Sequence, residues 1–275
     1  MASMKPKKSS LPPPKARPRQ SITVGKQREL NGRIIIGIVV AAVVVLGIVI
    51  ALVVGGGDDD EDATSGDSAP VALCSAEDTA GDTAGDESDV TVGEFVDGEI
   101  AQPVAVDGEP LDGFSQEMIQ GDTADTALCA RAPIVSGYDY AGDPVTIDAA
   151  ADGPTMVVLL AHWCPHCNAE IPRLNEWREG GNVPDGLNVV GVSTGIDSSR
   201  ANYPPDEWLA GMDWQWPVLA DTAESTAFQA FGGQYFPTVV IIGSDGRVLL
   251  RFSGEPSAEE IDTLVRSALA ADPSF

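Results

Sequence analysis

The chain has 275 residues, with 16 Lys or Arg against 42 Asp or Glu and a net charge of −26. Such an acidic body repels nucleic acid and anionic lipid surfaces, which excludes binding functions driven by bulk charge. The length leaves room for one ordinary domain plus substantial extra segments.

The charge is unevenly spread. Nine of the bases lie in residues 1–33 beside a single acid, Glu29. This arm is rich in Lys, Arg, Pro and Ser and too poor in apolar side chains to bury a core, so a disordered basic arm is expected. Ile34 to Val54 follows without one charged or polar side chain. As a helix it would be about 31 Å long, matching the hydrocarbon thickness of a bilayer. A cleaved signal peptide has a shorter apolar core and a small-residue cleavage site. Gly55-Gly56-Gly57-Asp58 offers no such site. Residues 34–54 are therefore read as a single-pass transmembrane signal anchor in the cell membrane. Its basic flank keeps the N-terminus cytoplasmic and places the rest outside the cytoplasm. Small residues four apart, at Gly37/Ala41 and Gly47/Ala51/Gly55, would suit helix pairing. That spacing is common in any Gly/Ala/Val-rich span, and a monomer is expected.

From Gly55 to Glu99 there are fifteen acids and no base. Residues 55–128 are read as an acidic, largely disordered extracytoplasmic linker, with a short strand near Val104 and Val106. Asp58 to Asp62 lacks the ligand spacing of an EF-hand and reads as solvated charge. Cys74 and Cys129 flank this region. On the oxidising side of a membrane two surplus cysteines most simply pair with each other, although pairing with another chain or with the redox motif stays open.

Residues 129–275 read as the globular domain. Residues 132–138 and 142–147 suggest a short antiparallel pair. Thr155–Ala161 is continuously apolar, hence a central strand buried on both faces. Cys164 to Glu179 has helical periodicity, with Pro172 expected to kink it. Leu187–Ser193 reads as a second parallel strand, and Pro205–Met212 as a short helix. Asp221 and Glu224 have capping-box spacing before a further helix. Thr238–Ile242 and Val248–Ser253 form a predicted hairpin. Ser257 and Glu260 make a second capping box, opening a helix whose stripe is Ile261, Leu264, Val265, Ala268 and Leu269.

The chemistry lies in Trp163-Cys164-Pro165-His166-Cys167, with Glu170 and Pro172 beyond it. Two cysteines separated by two residues, where a buried strand gives way to a helix, describe a dithiol/disulfide centre. The attacking species is a thiolate, so one sulfur must ionise near neutral pH. A helix start favours that charge through unpaired N–H groups and the dipole. Pro165 suits the first turn because its missing N–H has no partner there. A protonated His166 would favour the thiolate further. Cys164 is thus the expected exposed attacking thiolate and Cys167 the resolving thiol.

Residues 163–172 match W-C-x-x-C-x-x-E-x-P at every fixed position. In this the chain resembles the TlpA/ResA-like membrane-anchored thiol–disulfide oxidoreductases of the thioredoxin superfamily. The resemblance implies an α/β thioredoxin-like fold, a central mixed sheet flanked by helices, acting on protein thiols or disulfides with a membrane redox partner. It implies no cofactor beyond the Cys164–Cys167 disulfide and no metal. It also implies that Glu170 tunes or shuttles a cysteine proton, and that Pro237 is a cis-proline facing the dithiol with Phe236 contacting substrate. Trp163 reads as a ring covering the thiols. The Pro-His dipeptide is that of DsbA-type oxidants, at about −120 mV against about −270 mV for thioredoxin. The scaffold resembles reductases, some serving cytochrome c maturation, so direction is left open. The alternative is a copper-binding, metallochaperone-like module using the thiols with His162 or His166.

Overall fold

The computed structural model describes Cys74, residues 91–272 and Phe275. The expected arm and anchor, and all of the linker before residue 91 except Cys74, lie outside the described residues. Among the described residues no helix is long and apolar enough to cross a membrane.

In chain order the elements are β1 (Ala105–Asp107), α1 (Gln116–Gln120), β2 (Ile134–Tyr138), β3 (Pro144–Ile147), α2 (Ala149–Asp152), β4 (Thr155–Leu160), α3 (Pro165–Glu179), β5 (Asn188–Ser193), α4 (Pro205–Gly211), β6 (Val218–Ala220), α5 (Thr226–Ala230), β7 (Thr238–Ile242), β8 (Val248–Ser253) and α6 (Ala258–Leu269). The main sheet runs β6-β5-β4-β7-β8. Within it β4, β5 and β6 are parallel, while β7 is antiparallel to both β4 and β8. This is a thioredoxin-like α/β fold with a mixed sheet. A smaller antiparallel sheet, β1-β2-β3, precedes it.

Every residue of β4 is buried. Successive strand side chains point to opposite faces, so a strand covered on both sides reads as unbroken hydrophobicity. Met156, Val158 and Leu160 meet Ile171, Leu174 and Trp177 of α3 and Ile261, Val265 and Leu269 of α6. Val157 and Leu159 meet Val190, Val192, Leu219, Val240 and Phe231 on the other face. The helix layer is pinned where the Trp177 indole N–H donates to Asp262 Oδ1 at 3.2 Å. At the start of α6, Ser257 Oγ accepts from Glu260 N at 3.3 Å, and Ser257 N donates to Glu260 Oε2 at 2.8 Å. The spacing of those residues predicts this capping box.

Two expectations are corrected. The box expected from Asp221 and Glu224 does not form, because α5 begins later, after Ser225 in a left-handed conformation with φ 62°. Asp221 caps the helix from below instead, its buried carboxylate accepting from Ala227 N at 2.8 Å and Phe228 N at 3.1 Å. The second correction concerns residues 91–128, read as linker but packed into the fold. Leu111, Phe114 and Ala127 are buried, and Leu111 N and Phe114 N donate to Ala230 O and Gly232 O. Arg251, fully buried on β8, pairs with Asp125, donates to Asp112 O at 2.7 Å and lies over the Phe114 ring. Gly232, at φ 69°, permits this approach, since a Cβ there would lie 2.3 Å from Asp112 O. Few of these ties involve periodic apolar side chains, which is why hydropathy missed them. Cys74 and Cys129 are disulfide-bonded across 55 residues of sequence.

Candidate active site

The motif sits where β4 ends and α3 begins. Cys164 is the N-cap of α3 and Pro165 its first residue, and no side chain caps the helix. The orphan N–H groups of the first turn are therefore available to a negatively charged sulfur. Both cysteines are reduced and buried. The expectation that Cys164 is exposed is corrected: only 5 % of it is accessible. Its thiol faces the carbonyl of Phe236 at 3.6 Å, and the Phe236–Pro237 peptide is cis. The backbone immediately before Pro237 and β7 thus lies against the Cys164 thiol.

The two sulfurs are electrostatically unequal. Hydrogen bonding from the Cys167 thiol, then from the backbone N–H groups of Cys167 and His166, lowers the Cys164 pKa to about 6 against the opposing effect of burial. The His166 charge is a smaller contribution in the same direction. Cys167 is fully buried, and desolvation pushes its thiol far up. Its sulfur accepts from Ala161 N at 3.5 Å.

Glu170 is also fully buried, and neither carboxyl oxygen has a hydrogen-bond partner among the described residues. It lies beyond the first turn of α3. Burial raises its pKa to about 8, with Arg173 pulling it down and Glu255 pushing it up. An unsatisfied carboxyl is costly to bury and is least costly when protonated. The group is thus poised to gain or lose a proton near neutral pH beside a resolving sulfur.

Trp163 donates its indole N–H to Gly195 O at 2.6 Å and meets Phe236 edge-on at 5.6 Å. The Arg200 guanidinium lies 4.1 Å over its ring, so the tryptophan fixes the 195–204 loop beside the dithiol. His162 ties down the same loop from inside. Its Nδ1 bonds Ala201 O at 2.7 Å, and its Nε2 accepts from Asp197 N at 3.3 Å. His166 is exposed and its Nδ1 lies 2.5 Å from Glu255 Oε1. The Nδ1 atom of each imidazole is thus bonded within the protein. Among the described residues no group of three or more His, Cys, Asp or Glu is placed to hold a metal.

Sequence reasoning did not find Arg173, Glu255, Arg200, Asn168 or Asn202. Arg173 falls seven residues after His166, on the same helical face. Glu255 is 89 positions from His166, and nothing local marks it. Asn202 reaches the His162 carbonyl at 2.9 Å and Asn168 Oδ1 at 3.3 Å.

The AhpC/TSA family model matches residues 129–251. Among solved structures, the chain is similar to a thioredoxin-family thiol:disulfide interchange protein from Chlorobium tepidum TLS (26% identity, 53% of this chain and 99% of that one, TM-score 0.43). It is also similar to a putative thiol:disulfide interchange protein DsbE from Chlorobium tepidum (21%, 52% and 97%, TM-score 0.44). A third is a secreted Mycobacterium tuberculosis disulfide oxidoreductase homologous to E. coli DsbE (20%, 48% and 94%, TM-score 0.40).

Proposed function

Starting from a redoxin-matched, thioredoxin-like thiol–disulfide oxidoreductase domain, we propose that this chain exchanges disulfides with protein substrates through Cys164 and Cys167, tethered to the outer face of a membrane. The observation that carries the proposal is the unequal pair: an acidified Cys164 at a helix N-cap beside a buried, protonated Cys167. In the reducing direction the Cys164 thiolate attacks a substrate disulfide, forming a mixed disulfide and releasing one substrate thiolate. Glu170, in its carboxylate form, takes the Cys167 proton. The resulting Cys167 thiolate attacks Cys164 Sγ, closing the Cys164–Cys167 disulfide and expelling the second substrate thiolate, which takes up a proton. The enzyme is oxidised by two electrons and the substrate reduced by two.

The oxidising direction runs these steps backwards. A substrate thiolate attacks Cys164, Cys167 leaves and is protonated by Glu170, and the second substrate thiolate then displaces Cys164. An acidic Cys164 is a good leaving group, which together with Pro165-His166 supports a potential above that of thioredoxin. The cis Phe236–Pro237 edge opposite Cys164 is the docking backbone for an extended substrate segment, with Phe236 as its contact.

The Cys74–Cys129 disulfide supports an oxidising, extracytoplasmic location, since such bridges are rare in the cytosol. The uncharged span 34–54 supports a membrane anchor, and a membrane redox partner would reset the dithiol. The proposal is tested by two substitutions. Cys164→Ser is expected to abolish insulin reduction, and Cys167→Ser to accumulate mixed disulfides with substrate. Unchanged turnover in either variant would refute it.

A further inference from the structure

His166, Glu170 and Arg173 lie four and three residues apart on α3 and so share one face of the helix. Against that face comes Glu255, from the loop between β8 and α6. Its carboxylate bridges two cations: Oε1 is 2.5 Å from His166 Nδ1, and Oε2 accepts from Arg173 Nη1 at 3.1 Å. The same Arg173 nitrogen also forms a looser ion pair with Glu170 Oε2, at 3.9 Å and outside hydrogen-bond range. The guanidinium is therefore held more tightly by Glu255 than by the buried carboxyl. Glu260, at the start of α6, adds a further negative charge in reach of Arg173.

We propose that Glu255 is a positioning residue of the exchange reaction, keeping Arg173 from closing to hydrogen-bond distance of the buried Glu170 carboxyl. The proposal rests on the reading of Glu170 as the proton carrier. Three groups on α3 face Glu255 or its partners (His166, Arg173 and the inward-turned Glu170), and Glu260 faces them from α6. Removing the Glu255 charge acts on Glu170 twice. It deletes a nearby anion that opposes ionisation, and it frees Arg173 to close on the carboxylate; both lower the Glu170 pKa. With the proton retained, Glu170 is the donor that meets the electron pair left on Cys167 when a substrate thiolate breaks the Cys164–Cys167 bond. Glu255 thus sets the pH at which Glu170 passes from proton donor to proton acceptor.

The test uses the full chain, reduced, with 13C-labelled Glu side chains, the Glu170 resonance being identified by its loss in Glu170→Gln. In Glu255→Gln the Glu170 midpoint, near 8 in the parent, is expected to fall by about one pH unit or more. Glu255→Asp, which keeps the charge, is expected to recover most of that fall. The pH midpoint of disulfide exchange should move with it. A parent-like Glu170 midpoint in Glu255→Gln would overturn the role of Glu255. Should Glu170→Gln leave the pH profile of exchange unchanged, the reading of Glu170 itself fails and this inference falls with it.

Discussion

Cys164 and Glu170 show how donors and burial push two acids of one helix in opposite directions. Cys164 meets N–H groups and a thiol donor and is acidified; Glu170, one turn past Cys167, meets no donor and is held protonated. The consequences for stability have opposite signs. Cys164 has a folded pKa of about 6, below its usual 9. It therefore stabilises the reduced fold fully above pH 9, and that contribution is lost as pH falls through 6. Glu170 has a folded pKa of about 8, above its usual 4.5. Its contribution is complete below pH 4.5 and disappears as pH rises through 8. Glu170→Gln is accordingly expected to gain on the parent as pH rises through 8. Urea unfolding of both reduced proteins at pH 5 and pH 8.5 checks this, and an equal difference at the two pH values would contradict it. The residues that carry these charges were legible in sequence because the motif concentrates them in ten positions. Their environment was not. Glu255 and Gly195 reach the motif only through tertiary folding, so no local pattern marks them.

At the level of elements, strands and helices whose burial has a period were read correctly, β4, α3 and α6 above all. The segment before β2 was not, because its ties are polar and long-range. Arg251 has no exposed side-chain surface and Asp125 very little, so the pair is a desolvated bridge between β8 and the preceding segment. Breaking such a pair from one side leaves an uncompensated charge and costs about 3–5 kcal/mol, whereas replacing both partners costs much less. Asp125→Ala should thus lose stability in that range in urea unfolding, with Asp112 O giving Arg251 only partial relief. The double variant Asp125→Ala/Arg251→Met should recover much of the loss. A double variant as unstable as the sum of its singles would show that the pair does not act as a unit.

Across the whole molecule the charge contrast, the apolar span and the cysteine count each describe a different part. The dithiol motif describes the domain. Cys74 and Cys129 join the acidic segment to that domain, and closing a loop of this length is worth roughly 4 kcal/mol in the chain-entropy account. Fold class and the placing of the dithiol motif at a strand-to-helix junction were legible in the sequence, whereas the packing of residues 91–128 was not. Residues 91–128 carry the composition of a linker and yet supply Leu111, Phe114 and Asp125 to the structure.

Cys164 ionises near neutral pH because the Cys167 thiol, and then the first N–H groups of α3, donate to its sulfur. Thiolate absorbance near 240 nm, followed against pH in the reduced protein, reads this directly. We expect one transition near pH 6 that disappears in Cys164→Ser and persists in Cys167→Ala, shifted upward by loss of the thiol donor. A first transition above pH 8, or one that survives in Cys164→Ser, would contradict the assignment of Cys164 as the attacking group.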